Sequence, residues 1–137
     1  AVPLHGFLAY LVRAIASGTR YTVIGYGGKQ VRDQIHASDV VAAFDAFASD
    51  PRPGEVFNIG GGRGNSASVL EAIDLVERAS GRRAELAWEP TARIGDHACY
   101  YTDLSRLRSR FPGWSVTRSL ASIVAGMVRG VAVRAAA

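Results

Sequence analysis

The densest concentration of residues able to do chemistry is Gly25-Tyr26-Gly27-Gly28-Lys29-Gln30-Val31-Arg32-Asp33. Three glycines within four residues let the main chain take positive φ and come close to a ligand. Arg32 follows with a planar fork of donors suited to a phosphate or a carboxylate. A glycine-rich turn with Arg32 in an ordinary ion pair is the competing reading. A second motif is Arg93-x-Gly95-Asp96. Here an arginine could clamp a diphosphate while an aspartate accepts hydrogen bonds from ribose hydroxyls. Alone it is better described as an ion-paired loop, and it gains interest only when paired with Arg32. Two such charge-assisted contacts, at about 1.5–3 kcal/mol each, would supply much of the roughly −8 kcal/mol of a micromolar affinity.

A third motif, Gly62-x-Gly64-x-x-Ala67, follows an expected strand, opens an expected helix and precedes a second strand ending at Glu89. That is the outline of a dinucleotide-binding unit on 55–89, with pyrophosphate at the helix N-terminus and a carboxylate on ribose. Glycine-rich strand-to-helix loops are common, however, and the complete fold needs more parallel strands than remain. A Walker loop is excluded, because no Gly-Lys-Ser/Thr occurs. His5, His36 and His97 are isolated and read as structural histidines rather than general bases. Asp33 and Asp39 form no evident acid–base pair, and no Gly-x-Ser-x-Gly elbow is present, so no catalytic residue is assigned. His97-x-Cys99 is too little for a metal site, and Cys99 reads as an interior thiol.

The elements that must position these groups follow from periodicity and punctuation. Tyr21–Ile24 reads as a strand feeding the first glycine turn. Ser38 or Asp39 caps a helix with Val40, Val41, Phe44, Phe47 and Ala48 on its apolar face. Residues 6–16 predict a helix whose only charge is Arg13; apolar nearly all round, it wants cover on more than one side and so hints at a missing neighbour. Asp50-Pro51-Arg52-Pro53-Gly54 is a turn, 55–59 a strand, and Ser68-Val69-Leu70-Glu71 a capping box opening a helix that stops at Gly81. A strand over 84–88, a loop over 89–97, an extended stretch at 99–101 and a helix from Asp103 to about Phe111 follow. Pro112-Gly113-Trp114 breaks that helix. The last helix, 117–131, carries Leu120, Ile123, Val124, Met127, Val128 and Val131, and a frayed tail is expected over 132–137. The mixture predicts one α/β (α+β-like) domain over 1–137 with its core at about 5–131.

Composition narrows the partners. With 137 residues, 48% hydrophobic and 20% charged, the chain is that of a folded protein rather than a disordered one. Its net charge is +4, and every cation except Lys29 is arginine, which favours planar anions over diffuse polyanion steering. The Arg78/Arg82/Arg83 and Arg106/Arg108/Arg110 clusters read as solvated helix faces, so no nucleic-acid partner is expected. A single cysteine excludes an internal disulfide and fits a reducing compartment. No apolar run reaches the roughly 18–20 residues of a membrane span, and no charged n-region precedes the first apolar segment; the expected location is the cytoplasm.

Three motifs in order and spacing carry a family likeness: Gly27-Gly28-Lys29-Gln30-Val31-Arg32-Asp33-Gln34-Ile35-His36-x-x-Asp39, Val56-Phe57-Asn58-Ile59-Gly60-Gly61-Gly62, and Arg93-x-Gly95-Asp96. Over about 5–130 the chain resembles the C-terminal, substrate-binding half of extended short-chain dehydrogenases/reductases, the NAD-dependent epimerase/dehydratase family of sugar nucleotides. Within that family, Gly60 to Glu71 together with Lys29 to Asp33 are most similar to CDP-paratose 2-epimerases (CDP-tyvelose epimerases). The resemblance implies that Arg32 and Arg93 contact the nucleotide diphosphate and Asp96 the ribose, with Gln30 and Tyr26 as further substrate-binding residues. Gly25, Asp39 and Asn58 would support the local fold, and 62–67 becomes an ordinary loop.

The family uses NAD and a Tyr-x-x-x-Lys pair. No tyrosine here has lysine four residues on, and the NAD fingerprint of the family's N-terminal Rossmann domain is absent. Leu4-His5-Gly6-Phe7 also stands where relatives often have an acidic residue and a tryptophan. The expectation is a nucleotide-sugar-binding portion of an epimerase, inactive alone, completed by a separate Rossmann-domain chain or by self-association. Two alternatives stand beside it: a protein-interaction module docking through helix 6–16, and a stand-alone dinucleotide-binding unit on 55–89.

Overall fold

A computed structural model describes residues 6–135; Leu4, His5 and the end of the expected tail, 136–137, lie outside the described residues. The chain divides into two compact units. The first holds the segment up to Gln30, residues 67–98 and the segment from Ala121; the second holds 31–66 and 99–120.

In the first unit, α1 (Phe7–Ser17) buries Leu8, Leu11, Val12, Ala14 and Ile15. Their spacing makes one broad apolar stripe, which packs on α3 (Val69–Ser80) and touches β1 (Tyr21–Ile24). The facing stripe of α3 is Val69, Ala72, Ile73 and Val76. The missing neighbour expected for helix 6–16 is therefore unnecessary for those residues: α3 supplies the cover, leaving Tyr10 and Arg13 outward. Gly18 ends α1 in the left-handed conformation, its amide donating to the Ala14 and Ile15 carbonyls. The capping box of α3 is formed as expected: Glu71 accepts from the Ser68 amide (2.7 Å), and the Ser68 hydroxyl accepts from the Glu71 amide (3.2 Å). Hydrogen bonds from the Ser68 amide and hydroxyl hold the Glu71 carboxyl below its ordinary pKa. β4 (Leu86–Glu89) runs parallel to β1, Tyr21 opposite Leu86 and Ile24 opposite Glu89. α5 (Leu120–Ala135) is helical beyond residue 131, where a frayed tail was expected to begin next.

In the second unit, β2 (Val31–Asp33) runs parallel to β5 (Cys99–Tyr100), with Arg32 opposite Tyr100. Cys99 is exposed there, against the expectation of an interior thiol, because a two-residue strand gives it no cover. The core of this unit is Ala43, Leu104, Leu107, Phe111 and Trp114, with Ile35, Phe57 and Ile59 packed against them. Leu104 and Phe111 flank the short α4 (Ser105–Arg110), and Leu107 lies within it. The expected strand at 55–59 joins no ladder among the described residues; Phe57 and Ile59 still face the core while Val56 is 75% exposed and Asn58 is exposed. The alternation of a strand survives without a strand partner.

Helix α2 (Ala37–Ser49) departs most from its sequence pattern. The side chain capping it belongs to His36, whose Nδ1 accepts from the Ser38 amide (3.1 Å). Of the expected apolar face, Val41 is 55% and Phe44 60% exposed, whereas Asp39 and Ala43 are each only 2% exposed. The Asp39 carboxylate accepts from the Thr117 hydroxyl and from the amides of Thr117 (3.1 Å) and Arg118 (3.3 Å), and its carbonyl accepts from Trp114 Nε1 (2.8 Å). Burial alone would raise its pKa; these hydrogen bonds outweigh burial and hold it below the ordinary carboxylate value.

Candidate functional site

The first unit builds its glycine turn from an unusual run of backbone. Gly25 (φ 67°), Tyr26 (φ 50°), Gly27 (φ 57°) and Gly28 (φ 76°) are consecutive positive-φ residues, and Tyr26 is the only non-glycine in that state among the described residues. Such a conformation costs a non-glycine residue about 1–3 kcal/mol and persists only where surrounding contacts impose it. Glycine is required at 25 on contact grounds as well: a Cβ there would stand 2.7 Å from Ala92 Cα and 2.8 Å from Ala92 Cβ. The Gly25 amide donates to the Glu89 carbonyl (2.8 Å), carrying the β1–β4 pairing into the turn.

Tyr26 then reaches across 70 residues of sequence. Its hydroxyl donates to the Asp96 main-chain oxygen (3.0 Å), and the Asp96 amide donates to the Arg93 carbonyl (3.1 Å) to close the Arg93-x-Gly95-Asp96 turn. The structure thus brings together Tyr26, Arg93 and Asp96 around one loop junction. Gln30 closes the other side of the glycine turn: it is buried, and its Nε2 donates to the Ile24 carbonyl (2.9 Å). Its Oε1 is a buried acceptor without a hydrogen-bond partner among the described residues. Arg93 is exposed and lines a hollow of about 410 Å³ with Phe7, Tyr10, Tyr21, Thr22 and Ile24. Burial raises the Tyr21 pKa there, and the Arg93 charge partly opposes it.

Arg32 belongs to the second unit, half-buried on β2, with Nη1 donating to the Val31 carbonyl (2.7 Å). Beside it in sequence, Asp33 does work that sequence reasoning missed: its Oδ2 accepts from the Gly62 amide (2.8 Å) and the Thr102 amide (3.1 Å). Gly61 lies so close to this segment that a Cβ would fall 2.0 Å from the Gln34 carbonyl oxygen. Asn65 is a second unforeseen brace, buried, with Nδ2 donating to the Arg118 carbonyl (2.7 Å) and Oδ1 accepting from the Leu120 amide (3.0 Å). The composition of Gly60-Gly61-Gly62 signals the close approach, but nothing local reveals the partners. Asp39 braces α2 as described, and Asn58 stands exposed on the 55–59 segment.

The dinucleotide reading of 55–89 does not fit these residues. After Gly62 the chain makes one 3-10 turn (Arg63–Asn65) and the short strand β3 (Ser66–Ser68) before α3 begins at Val69. The glycines are therefore not at the helix N-terminus, and the Glu71 carboxylate already accepts the Ser68 amide at the start of α3. A pyrophosphate would meet a carboxylate instead of the amide cradle that NAD requires. Among the described residues, no group of three or more His, Cys, Asp or Glu side chains is placed to hold a metal ion, and no helix is long and apolar enough to cross a membrane.

Comparison with known proteins agrees with the motifs. Residues 4–60 match the NAD dependent epimerase/dehydratase family. A UDP-glucose 4-epimerase of Neisseria meningitidis is 37% identical over 131 residues, covering 88% of this chain and 37% of the relative. A CDP-paratose 2-epimerase of Salmonella typhi is 46% identical over 59 residues, 42% of this chain and 17% of the relative. The solved structure of MoeE5 in complex with UDP-glucuronic acid and NAD superposes with a TM-score of 0.81 at 31% identity, covering 96% of this chain and 42% of that one. The chain spans about two fifths of the length of such relatives, as the 37% and 42% coverages show. With its α/β architecture and its three motifs in family order, the chain belongs to the NAD-dependent epimerase/dehydratase family and resembles its substrate-binding half.

Proposed function

We propose that the chain binds a nucleotide-diphosphate sugar, as the substrate-binding portion of an NAD-dependent sugar-nucleotide epimerase of the CDP-paratose 2-epimerase kind. Arg32 and Arg93 grip the diphosphate, Asp96 accepts from the ribose, and Tyr26 and Gln30 shape the turn against which the nucleotide lies. The observation that carries this reading is the Tyr26 hydroxyl bonded to the Asp96 main chain from a left-handed backbone position. Strain held at the junction of two phosphate- and ribose-suited motifs is the signature of a preorganised ligand site. The names of the relatives support a sugar-nucleotide ligand, and the Salmonella relative supports a CDP sugar.

The 137 residues contain no Tyr-x-x-x-Lys pair. By themselves these 137 residues hold substrate without epimerising it, and the NAD chemistry of the family belongs to a Rossmann domain outside them. Its place is the cytoplasm, where sugar nucleotides and reduced thiols coexist. Docking through helix 6–16 has less support, because Leu8, Leu11, Val12, Ala14 and Ile15 are buried and α1 packs on α3.

Calorimetric titration with CDP- and UDP-sugars at low salt tests the binding. Arg32→Ala and Arg93→Ala should each weaken affinity by about tenfold or more, the loss of one charge-assisted contact. Variants that bind as tightly as the parent overturn the proposal. Incubation with sugar nucleotide and NAD should yield no epimerised product.

A further inference from the structure

We propose that the second unit carries an additional anion pocket, separate from the diphosphate contacts above and suited to a small phosphorylated molecule. The arginines of α4 divide into two groups. Arg106 and Arg110 both pair with Glu55, at 3.0 and 3.2 Å, and the Arg106 guanidinium lies 5.5 Å from the centre of the Phe57 ring. Arg108, between them in sequence, instead lines a hollow of about 620 Å³. Arg63, from the glycine-rich loop, and Arg118, just ahead of α5, line the same hollow. Three separated segments thus bring three arginines to the wall of one concavity.

None of these three forms an ion pair among the described residues, whereas Arg106 and Arg110 share the Glu55 carboxylate. The one carboxylate in the lining is Asp103, whose Oδ1 accepts the Ser105 amide (2.9 Å). Unpaired positive charge in a concave wall concentrates anions. Guanidinium forks favour the paired oxygens of phosphate over a point anion. The exposed Tyr101 in the lining offers a ring face for the rest of such a molecule.

Inorganic pyrophosphate is the probe, titrated calorimetrically at low ionic strength into the full chain carrying Arg32→Ala and Arg93→Ala, which removes the diphosphate contacts of the proposed function. Saturable binding is expected to persist in that background. Adding Arg108→Ala or Arg63→Ala should weaken it by about tenfold. Arg106→Ala removes the same charge from the same helix but outside the hollow, and should change affinity by less than about twofold. Thermal melting verifies that each variant folds; Arg108→Lys, which keeps the charge and loses the fork, should still weaken binding several-fold. Absence of saturable binding in this background, or equal losses from Arg106→Ala and Arg108→Ala, overturns the pocket while leaving the sugar-nucleotide reading untouched. Loss of CDP-sugar binding on Arg32→Ala bears only on that reading.

Discussion

Helices α1 and α2 exchange the roles their sequences suggest. α1 carries one charge among its apolar residues, a pattern that suggests an outside partner, yet its apolar stripe is closed by α3 within its own unit. α2 carries an apolar face fit for a core, yet turns Val41 and Phe44 outward and buries Asp39 and Ala43. The difference lies in what each buried face satisfies. Leu11, Val12 and Ile15 need only removal from water, which any apolar neighbour provides. Asp39 needs donors, and the loop carrying Thr117 and Arg118 provides them. Where a helix can anchor itself through a carboxylate holding several donors, hydrophobic periodicity does not decide which face turns inward.

The comparison breaks most readily at Leu11. It is fully buried, so Leu11→Ala should cost about 2–5 kcal/mol of unfolding free energy in denaturant titration, through lost transfer energy and a residual cavity. A cost below about 1 kcal/mol would mean that the α1–α3 contact is loose. Asp39→Ala comes next, with an expected loss of about 2–3 kcal/mol, because it strands the amides of Thr117 and Arg118. The pH dependence has a definite sign. The folded-state pKa of Asp39 is lowered, so its contribution is present above the ordinary value of about 4 and is lost as pH falls through the lower folded-state value. Glu71 shifts the same way, so the measurement is the difference between parent and Asp39→Asn, which should shrink on acidification below about pH 4. A difference constant with pH would remove the carboxylate from the account of α2.

Local signals were the most legible. The α3 capping box and its stop at Gly81 need only residues within a few positions of one another, and both are formed. The register of β1 with β4 pairs residues 65 apart, and periodicity located both strands without pairing them. Less was legible where the partner is remote: Trp114 lies 75 residues from Asp39, and a cap was the simpler reading of that aspartate. The 55–59 segment shows a further way to miss, since its strand-like alternation is real while its ladder is not formed among the described residues. At the candidate site, residue types located the glycine turn and the Arg93-x-Gly95-Asp96 loop, but the Tyr26–Asp96 bond that joins them depends on folding. The bracing roles of Asp33 and Asn65 are not legible in the sequence, because their acceptors serve main-chain amides, which leave no mark in side-chain patterns.

Smaller effects sharpen the contrast. Ser68→Ala removes the cap of α3, the helix that covers α1, and should cost about 1 kcal/mol, seen as a lowered denaturant midpoint with an unchanged slope. Phe44→Ser should cost least. An exposed aromatic on a helix whose anchoring is polar contributes little to folding, so stability should move by no more than about 0.5 kcal/mol. The same substitution removes the most exposed aromatic side chain of α2 and should lower the binding of a hydrophobic dye to the native chain. A loss of 2 kcal/mol or more, like that of a buried aromatic, would place Phe44 in a core and restore the reading in which both helices bury their apolar faces. A small loss together with weaker dye binding leaves Asp39 as the group that decides how α2 is turned.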